Sequence, residues 1–193
     1  MTRKWTRLTA LTALTVLALA PLVAWATTSL TTRISLGFTA TYTVTGDLAD
    51  SVSAMNLSRT IDLTSGTGAS QANLIFHDSR PLADGANETL DLYASGTLLD
   101  PVGNALTMAA LKALYLKNTS ADATLLVGGA ASVALTLFSD TTDILKIPPG
   151  GIFLWTCPSA AGLDLSTNKN LKLAHDGTGS STLTYEIIAI GED

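Results

Sequence analysis

Ile34-Ser35-Leu36-Gly37-Phe38-Thr39-Ala40-Thr41-Tyr42-Thr43-Val44 places an apolar side chain at every second position, with Ser35, Thr39, Thr41 and Thr43 in most of the intervening slots. A helix would scatter these side chains around its axis, whereas a strand sends alternate residues to opposite faces. The stretch reads as a strand with one apolar and one wet face. β-Branched Thr suits the wet side of a pleat.

The same rhythm continues along the chain. Leu57, Arg59, Ile61 and Leu63 alternate with Ser58, Thr60 and Asp62, and the run stops at Ser65-Gly66-Thr67-Gly68. Further strands are expected over residues 74–77, 89–93, 114–116, 124–127, 133–138, 143–147, 152–156, 171–174 and 181–190. Turn signals such as Lys117-Asn118, Gly128-Gly129, Pro148-Pro149-Gly150-Gly151 and Asp176-Gly177 bound them. The last two runs, joined through His175-Asp176-Gly177-Thr178-Gly179, predict a hairpin, because Asp-Gly supplies the positive φ that tight reversals need. Residues 105–114 alone carry helical spacing, in Leu106, Ala109, Ala110 and Ala113. Many short strands, frequent turns and almost no helix predict an all-β chain: a single antiparallel β-sandwich of the jelly-roll type.

The chain has 193 residues, 47 % of them apolar and 14 % charged, with a formal charge of −5 and a single Cys. One Cys excludes an intrachain disulfide framework. The acid surplus argues against nucleic acid as the partner, since phosphate binding needs Lys and Arg in excess. Arg3, Lys4 and Arg7 precede an almost wholly apolar run from Leu8 to Ala26 that ends in Ala24-Trp25-Ala26. A basic start, an apolar middle and a small-residue exit are the parts of a secretory signal cleaved after Ala26. The same 19 residues could serve instead as an uncleaved membrane anchor. Two segments follow: residues 1–26 as signal or anchor, and residues 27–193 as the β-sandwich domain. The second segment holds eight basic against sixteen acidic residues, net −8, which keeps copies apart by repulsion. Cys157, within Ile152-Phe153-Leu154-Trp155-Thr156-Cys157, is expected to be buried.

Few constellations carry chemistry. The only two histidines lie in His77-Asp78 and His175-Asp176, and no G-x-S-x-G elbow supplies a nucleophile. A secreted hydrolase built on His77 or His175 is the weakest reading. Asp140/Asp143 and Asp47/Asp50 lack the ligand count of a calcium loop and read as solvated turns. Gly66-Thr67-Gly68 lacks both the Lys and the following helix of a phosphate cradle. With Glu confined to positions 88, 186 and 192, a glycosidase carboxylate pair is not indicated, and Glu186 is expected to face solvent or a nearby Lys. Trp155, Tyr42, Tyr93, Tyr115, Phe138 and Tyr185 could form a sugar platform, but alternation assigns most of them to the core. Asn56, Asn87 and Asn118 head glycosylation sequons that a Thr-rich chain contains by chance. No catalytic, cofactor-binding or metal-binding residue is expected.

Several stretches resemble a family of small virion proteins of tailed phages and prophages. They are Ser29-Leu30-Thr31-Thr32-Arg33-Ile34-Ser35-Leu36, Val127-Gly128-Gly129-Ala130-Ala131 and Phe138-Ser139-Asp140-Thr141-Thr142-Asp143. The most telling is Leu145-Lys146-Ile147-Pro148-Pro149-Gly150-Gly151-Ile152-Phe153-Leu154, followed by Pro158 and Gly162. Leu171-Lys172-Leu173-Ala174, Gly179 and the run from Leu183 to Gly191 complete the likeness. It implies a non-enzymatic decoration or tail-associated subunit that binds copies of itself, a trimer being one such form, or other virion proteins in a lattice, without cofactor. Pro149 with Gly150 and Gly151 makes a rigid corner, so Pro148, Pro149, Gly150 and Gly151 are the candidate contact loop. The export signal departs from that picture. It fits a false start, an exported copy, or an anchor in a membrane-containing particle, so a virion or an exported location follows, with membrane contact only through residues 1–26. An exported adhesin or carbohydrate-binding module is the alternative.

Overall fold

The computed structural model describes residues 29–93, 98–179 and 181–193. The signal or anchor segment, with the exit residues Ala24 and Ala26, lies outside the described residues. Among those described there are eleven strands and no helix, so the chain is all-β; no helix there is long and apolar enough to cross a membrane.

The strands form three antiparallel sheets. β1 (Thr32–Val44) and β2 (Ser51–Leu63) pair only with each other. A second sheet has the order β3 (Leu74–Leu82), β11 (Leu183–Glu192), β5 (Ala110–Asn118), β8 (Ile152–Thr156), with the short β9 (Leu163–Asp164) beside β5. The third has the order β4 (Asn87–Asp91), β10 (Asn170–His175), β6 (Leu125–Gly128), β7 (Ile144–Ile147). Leu114, Leu116, Leu183, Tyr185 and Ile187 from one sheet share a single buried cluster with Leu90, Leu125, Val127, Leu171 and Leu173 from the other.

Of the segment expected to be helical, residues 105–109 are neither helix nor strand apart from a bridge at Ala105, and residues 110–114 begin β5. Ala110 to Leu114 is buried at every position, so the period-2 signal vanishes and the Ala-rich run imitates a helix. β5 also carries a bulge: Ile190 pairs with Ala113 and Gly191 with Leu111, leaving Lys112 without an opposite residue. Lys112 is 1 % exposed. Its ammonium has three partners: Glu192 Oε2 at 2.9 Å, and the carbonyls of Ser159 at 2.8 Å and Ala160 at 2.7 Å. The bulge thereby ties the C-terminal strand to the loop after β8.

Two further expectations are corrected. Residues 171–174 and 181–190 do form strands, but β10 pairs with β4 and β6 while β11 pairs with β3 and β5, so they are not a hairpin. Their apolar rows face one another across the core instead of lying side by side, and alternation is the same in both cases. Residues 133–138 are not a strand. Val133 sits at φ 43°, a left-handed conformation that L-residues avoid, and it breaks the extended backbone. Its carbonyl accepts the Lys169 and Asn170 N–H groups at 2.9 and 3.0 Å, which hold it there.

Two substitutions test this account. Val133→Gly should raise unfolding free energy by about 0.5–1 kcal/mol, the left-handed strain relieved less the entropy glycine adds to the unfolded chain; a fall in the denaturant midpoint would refute it. Lys112→Met should cost about 3–5 kcal/mol by stranding the Glu192 carboxylate, and Lys112→Met with Glu192→Gln should recover much of that loss.

Candidate functional site

The run that decided the fold class does not line the core. β1 and β2 form a ribbon thirteen residues long on each side, about 43 Å at the usual rise per residue. Cross-strand register puts Ile34 opposite Ile61, Phe38 opposite Leu57 and Ala40 opposite Met55 on one face. The other face pairs Ser35 with Thr60, Gly37 with Ser58 and Thr39 with Asn56. The expectation of one apolar and one wet face holds for β1, while β2 sets Arg59, Ser53 and Ser51 opposite Leu36, Tyr42 and Val44, and the apolar row is largely uncovered. Phe38 is 50 % exposed and Tyr42 70 %, with Leu36, Val44 and Met55 also exposed.

Only the base of this arm is packed. Leu30, Ile34, Ile61 and Leu63 meet Ala72, Ile75, Ala113 and Ile190 on the outer face of the five-stranded sheet. Arg33 and Asp62, opposite one another in register, add an exposed ion pair at 2.7 Å. Beyond the base the ribbon stands clear, and its tip carries fully exposed Leu48.

An apolar groove of about 410 Å³ runs between arm and body. One wall is the consecutive stretch Thr32 to Leu36 of β1, and the floor is Tyr115, Ile152, Leu154 and Ile188 on the outer sheet face. Ile152 is 62 % exposed and Leu154 and Ile188 over a third. Grouped exposed apolar side chains of this kind occur at protein, membrane and ligand contacts.

The candidate contact loop is a turn joining β7 of one sheet to β8 of the other. The Gly151 N–H donates to the Pro148 carbonyl at 2.9 Å, and Gly150 takes φ 71°, the conformation a second central turn residue needs after Pro149. Pro148, Pro149 and Gly150 are exposed. Behind the corner lies Asn118, fully buried, whose side-chain amide donates to the carbonyls of Ala123 at 2.8 Å and Ile147 at 3.0 Å. Its Oδ1 accepts the Ser120 N–H. This sequon residue is a clamp.

The polar candidates are disposed for structure. His77 and Asp78, as strand neighbours, point to opposite faces of β3, and His77 is exposed opposite Ile188. His175 is buried; its Nδ1 accepts the Gly177 N–H at 2.9 Å, so Nε2 carries the proton it donates to the Ser181 carbonyl at 2.9 Å. Both ring nitrogens are thus committed to the backbone of the 176–182 connection. Asp176 turns instead to Thr178 and to the Thr124 N–H. Asp140 accepts from the Thr142 N–H and hydroxyl, and those bonds hold its carboxyl below the ordinary range. Among the described residues, no three His, Cys, Asp or Glu converge on a possible metal ion. Asp47 and Asp50 stand exposed at the arm tip. The Gly66–Gly68 segment is a loop closed by Gln71, whose Oε1 accepts the Gly68 N–H.

The strongest polar network links the two body sheets at one edge. The Tyr185 hydroxyl donates to Glu88 at 2.8 Å, and Arg80 donates to the other oxygen of Glu88 and to Asp78 at 2.9 Å. Burial, and then the Glu88 carboxylate, push the Tyr185 phenol well above its usual range. A fully buried phenol that donates to a carboxylate joined to Arg is a clasp between β11, β4 and β3, with no atom offered to a substrate. Trp155 and Tyr93 pack partly buried against the core, Phe138 meets Phe153 with the ring planes tilted at 60°, and Tyr42 alone of the sugar-platform candidates projects far into solvent. Glu186 is half-buried and lies opposite Lys117, in keeping with expectation. Cys157 is only half-buried, its thiol 3.2 Å from the Ser159 hydroxyl, because the chain leaves β8 at Thr156 before turning outward.

No family model matches the chain, and no curated protein does.

Asp176 gives a pH test. Desolvation raises its carboxyl, but bonds from the Thr178 hydroxyl, the Thr178 N–H and the Thr124 N–H outweigh this and bring it down to about 2. The folded value lies below the unfolded one near 4, so its stabilisation is full above that pH and is lost as pH falls through about 2. The stability gap between wild type and Asp176→Ala should therefore be constant above about pH 4 and close below it. A gap unchanged down to pH 2 would contradict the assignment.

Proposed function

We propose that this chain is a non-enzymatic structural subunit of the virion type, built on a jelly-roll sandwich, which self-associates through the β1–β2 arm. The observation that carries the reading is the arm: a long ribbon whose apolar row, beyond its packed base, has no cover in its own chain. A protein working alone in water gains nothing from such an element. A subunit of an assembly does.

The order of the body strands supports the same reading. Counting only the eight main body strands, β3 to β8, β10 and β11, their sheet orders are 1-8-3-6 and 2-7-4-5. Such orders are what two interlocked Greek keys would give, which supports the jelly-roll reading; jelly rolls serve repeatedly as capsid and lectin domains. The rigid corner at Pro148–Gly151 offers a second exposed contact point for neighbours in a lattice. The polar networks serve cohesion: each buried titratable side chain described above is engaged with protein atoms. Location in a virion, or export of a related copy, follows from this role.

The experiment is sedimentation and negative-stain microscopy of the purified chain. Defined oligomers or lattice fragments are expected at micromolar concentration. Phe38→Ser with Tyr42→Ser should weaken association at least about tenfold, since each lost contact is worth about 1 kcal/mol or more, while leaving the thermal transition of the body intact. A strictly monomeric wild type at 100 µM, on the order of the weakest specific contacts, would overturn the proposal.

A further inference from the structure

The apolar groove has an unusual wall. Thr32 to Leu36 are consecutive residues, so what borders the groove is the outer edge of β1, with the main-chain N–H and C=O groups that β2 does not use. In an antiparallel ribbon every second residue of each strand directs these groups outward. Natural edges are blunted by charge, Pro or bulges to prevent pairing. From Ile34 to Gly46 there is no charged residue and no Pro, and the β1–β2 register is continuous without a bulge. The edge is open.

We infer that this edge pairs antiparallel with the β1 edge of a second copy, making a two-fold β2–β1–β1–β2 sheet whose ends roof the two grooves. The inference rests on the self-association proposed above and names its interface. The sequence of β1 is close to self-complementary about Phe38. Pairing centred there sets Phe38 beside the partner's Phe38, Leu36 beside the partner's Ala40, Ile34 beside the partner's Tyr42, and Thr32 beside the partner's Val44. Phe38, Leu36, Ala40, Ile34 and Tyr42 each meet an apolar side chain on the same face and Val44 meets Thr32, because paired positions share parity about residue 38. Arg33, the only charge on β1, comes to Thr43 of the partner and meets no like charge. The partner's Tyr42 and Val44 arrive where Ile34 and Thr32 border the groove, above Ile152, Leu154 and Ile188.

Charge and hydrogen-bond number favour a second copy as the occupant. Residues 27–193 carry net −8, so direct contact between bodies is repelled, and the uncharged outer part of β1 is a contact that avoids this cost. Thirteen paired residues supply about a dozen main-chain bonds, which matches the roughly ten of a stable protein interface.

Residue-resolved hydrogen exchange on the wild-type full chain tests the pairing. In a free ribbon the amides of β1 alternate between slow and fast. Under dimerising conditions the fast set between Ser35 and Thr43 should slow at least about tenfold, giving continuous protection that alternates again on dilution. Alternation that persists in an assembled sample overturns edge pairing while leaving self-association through another surface. Alternation in a sample monomeric at all concentrations sinks both. Register is read separately in a Cys157→Ser background. Phe38→Cys should oxidise to a disulfide dimer and Thr43→Cys should not; the reverse pattern refutes the two-fold centre at Phe38.

Discussion

A two-stranded ribbon is marginal in water unless something covers its apolar face. β1–β2 has a packed base and a long uncovered remainder, and that imbalance constrains the rest of the molecule. Leu36, Phe38, Tyr42, Val44 and Met55 are all between two-fifths and three-quarters exposed. Covering them would contribute about 1 kcal/mol each, on the order of 5 kcal/mol together. That is comparable with the net stability of a typical domain.

The body is organised to hold such an arm steady. Its base packs on Ala113 and Ile190, beside the β5 bulge at which Lys112 turns aside to bind Glu192 and the Ser159–Ala160 carbonyls. The small side chain of Ala113, between Ile34, Ile75 and Ile190, leaves room for the ribbon to approach the sheet. The Tyr185–Glu88–Arg80 clasp fastens one sheet to the other, and Asn118 fixes the corner between β7 and β8. Each of these groups stabilises a frame, and the arm is the element with unused bonding capacity.

Much of the fold was legible in the sequence because alternation is a local signal. Residues 152–156 form a strand with the expected bounds, and β1, β6, β7 and β10 fall within two residues of expectation. What the sequence could not convey depends on partners distant along the chain. Alternation announces an apolar face but not what covers it, so β1 looked like a core strand. Leu171 and Leu183 look the same whether their strands lie side by side or face to face. β5 lost its alternation by being buried on both sides, and its Lys112 gave no sign of a counter-ion eighty residues on. The contact loop was recognisable from Pro-Gly turn chemistry, whereas the groove, made from β1, β5, β8 and β11, had no sequence signature. Gly37, Ala40 and the absence of charge from Ile34 to Gly46 were the one available hint that this edge is unguarded.

The central claim is that the apolar row of the arm is covered by another molecule of the same chain. Hydroxyl-radical footprinting of Phe38 and Tyr42 across a dilution series measures that cover directly. The account predicts that their oxidation slows severalfold as concentration rises through the association range, while exposed Val102, remote from the arm in sequence, is unchanged. Oxidation of the arm residues at one constant, fast rate over the whole series would contradict it.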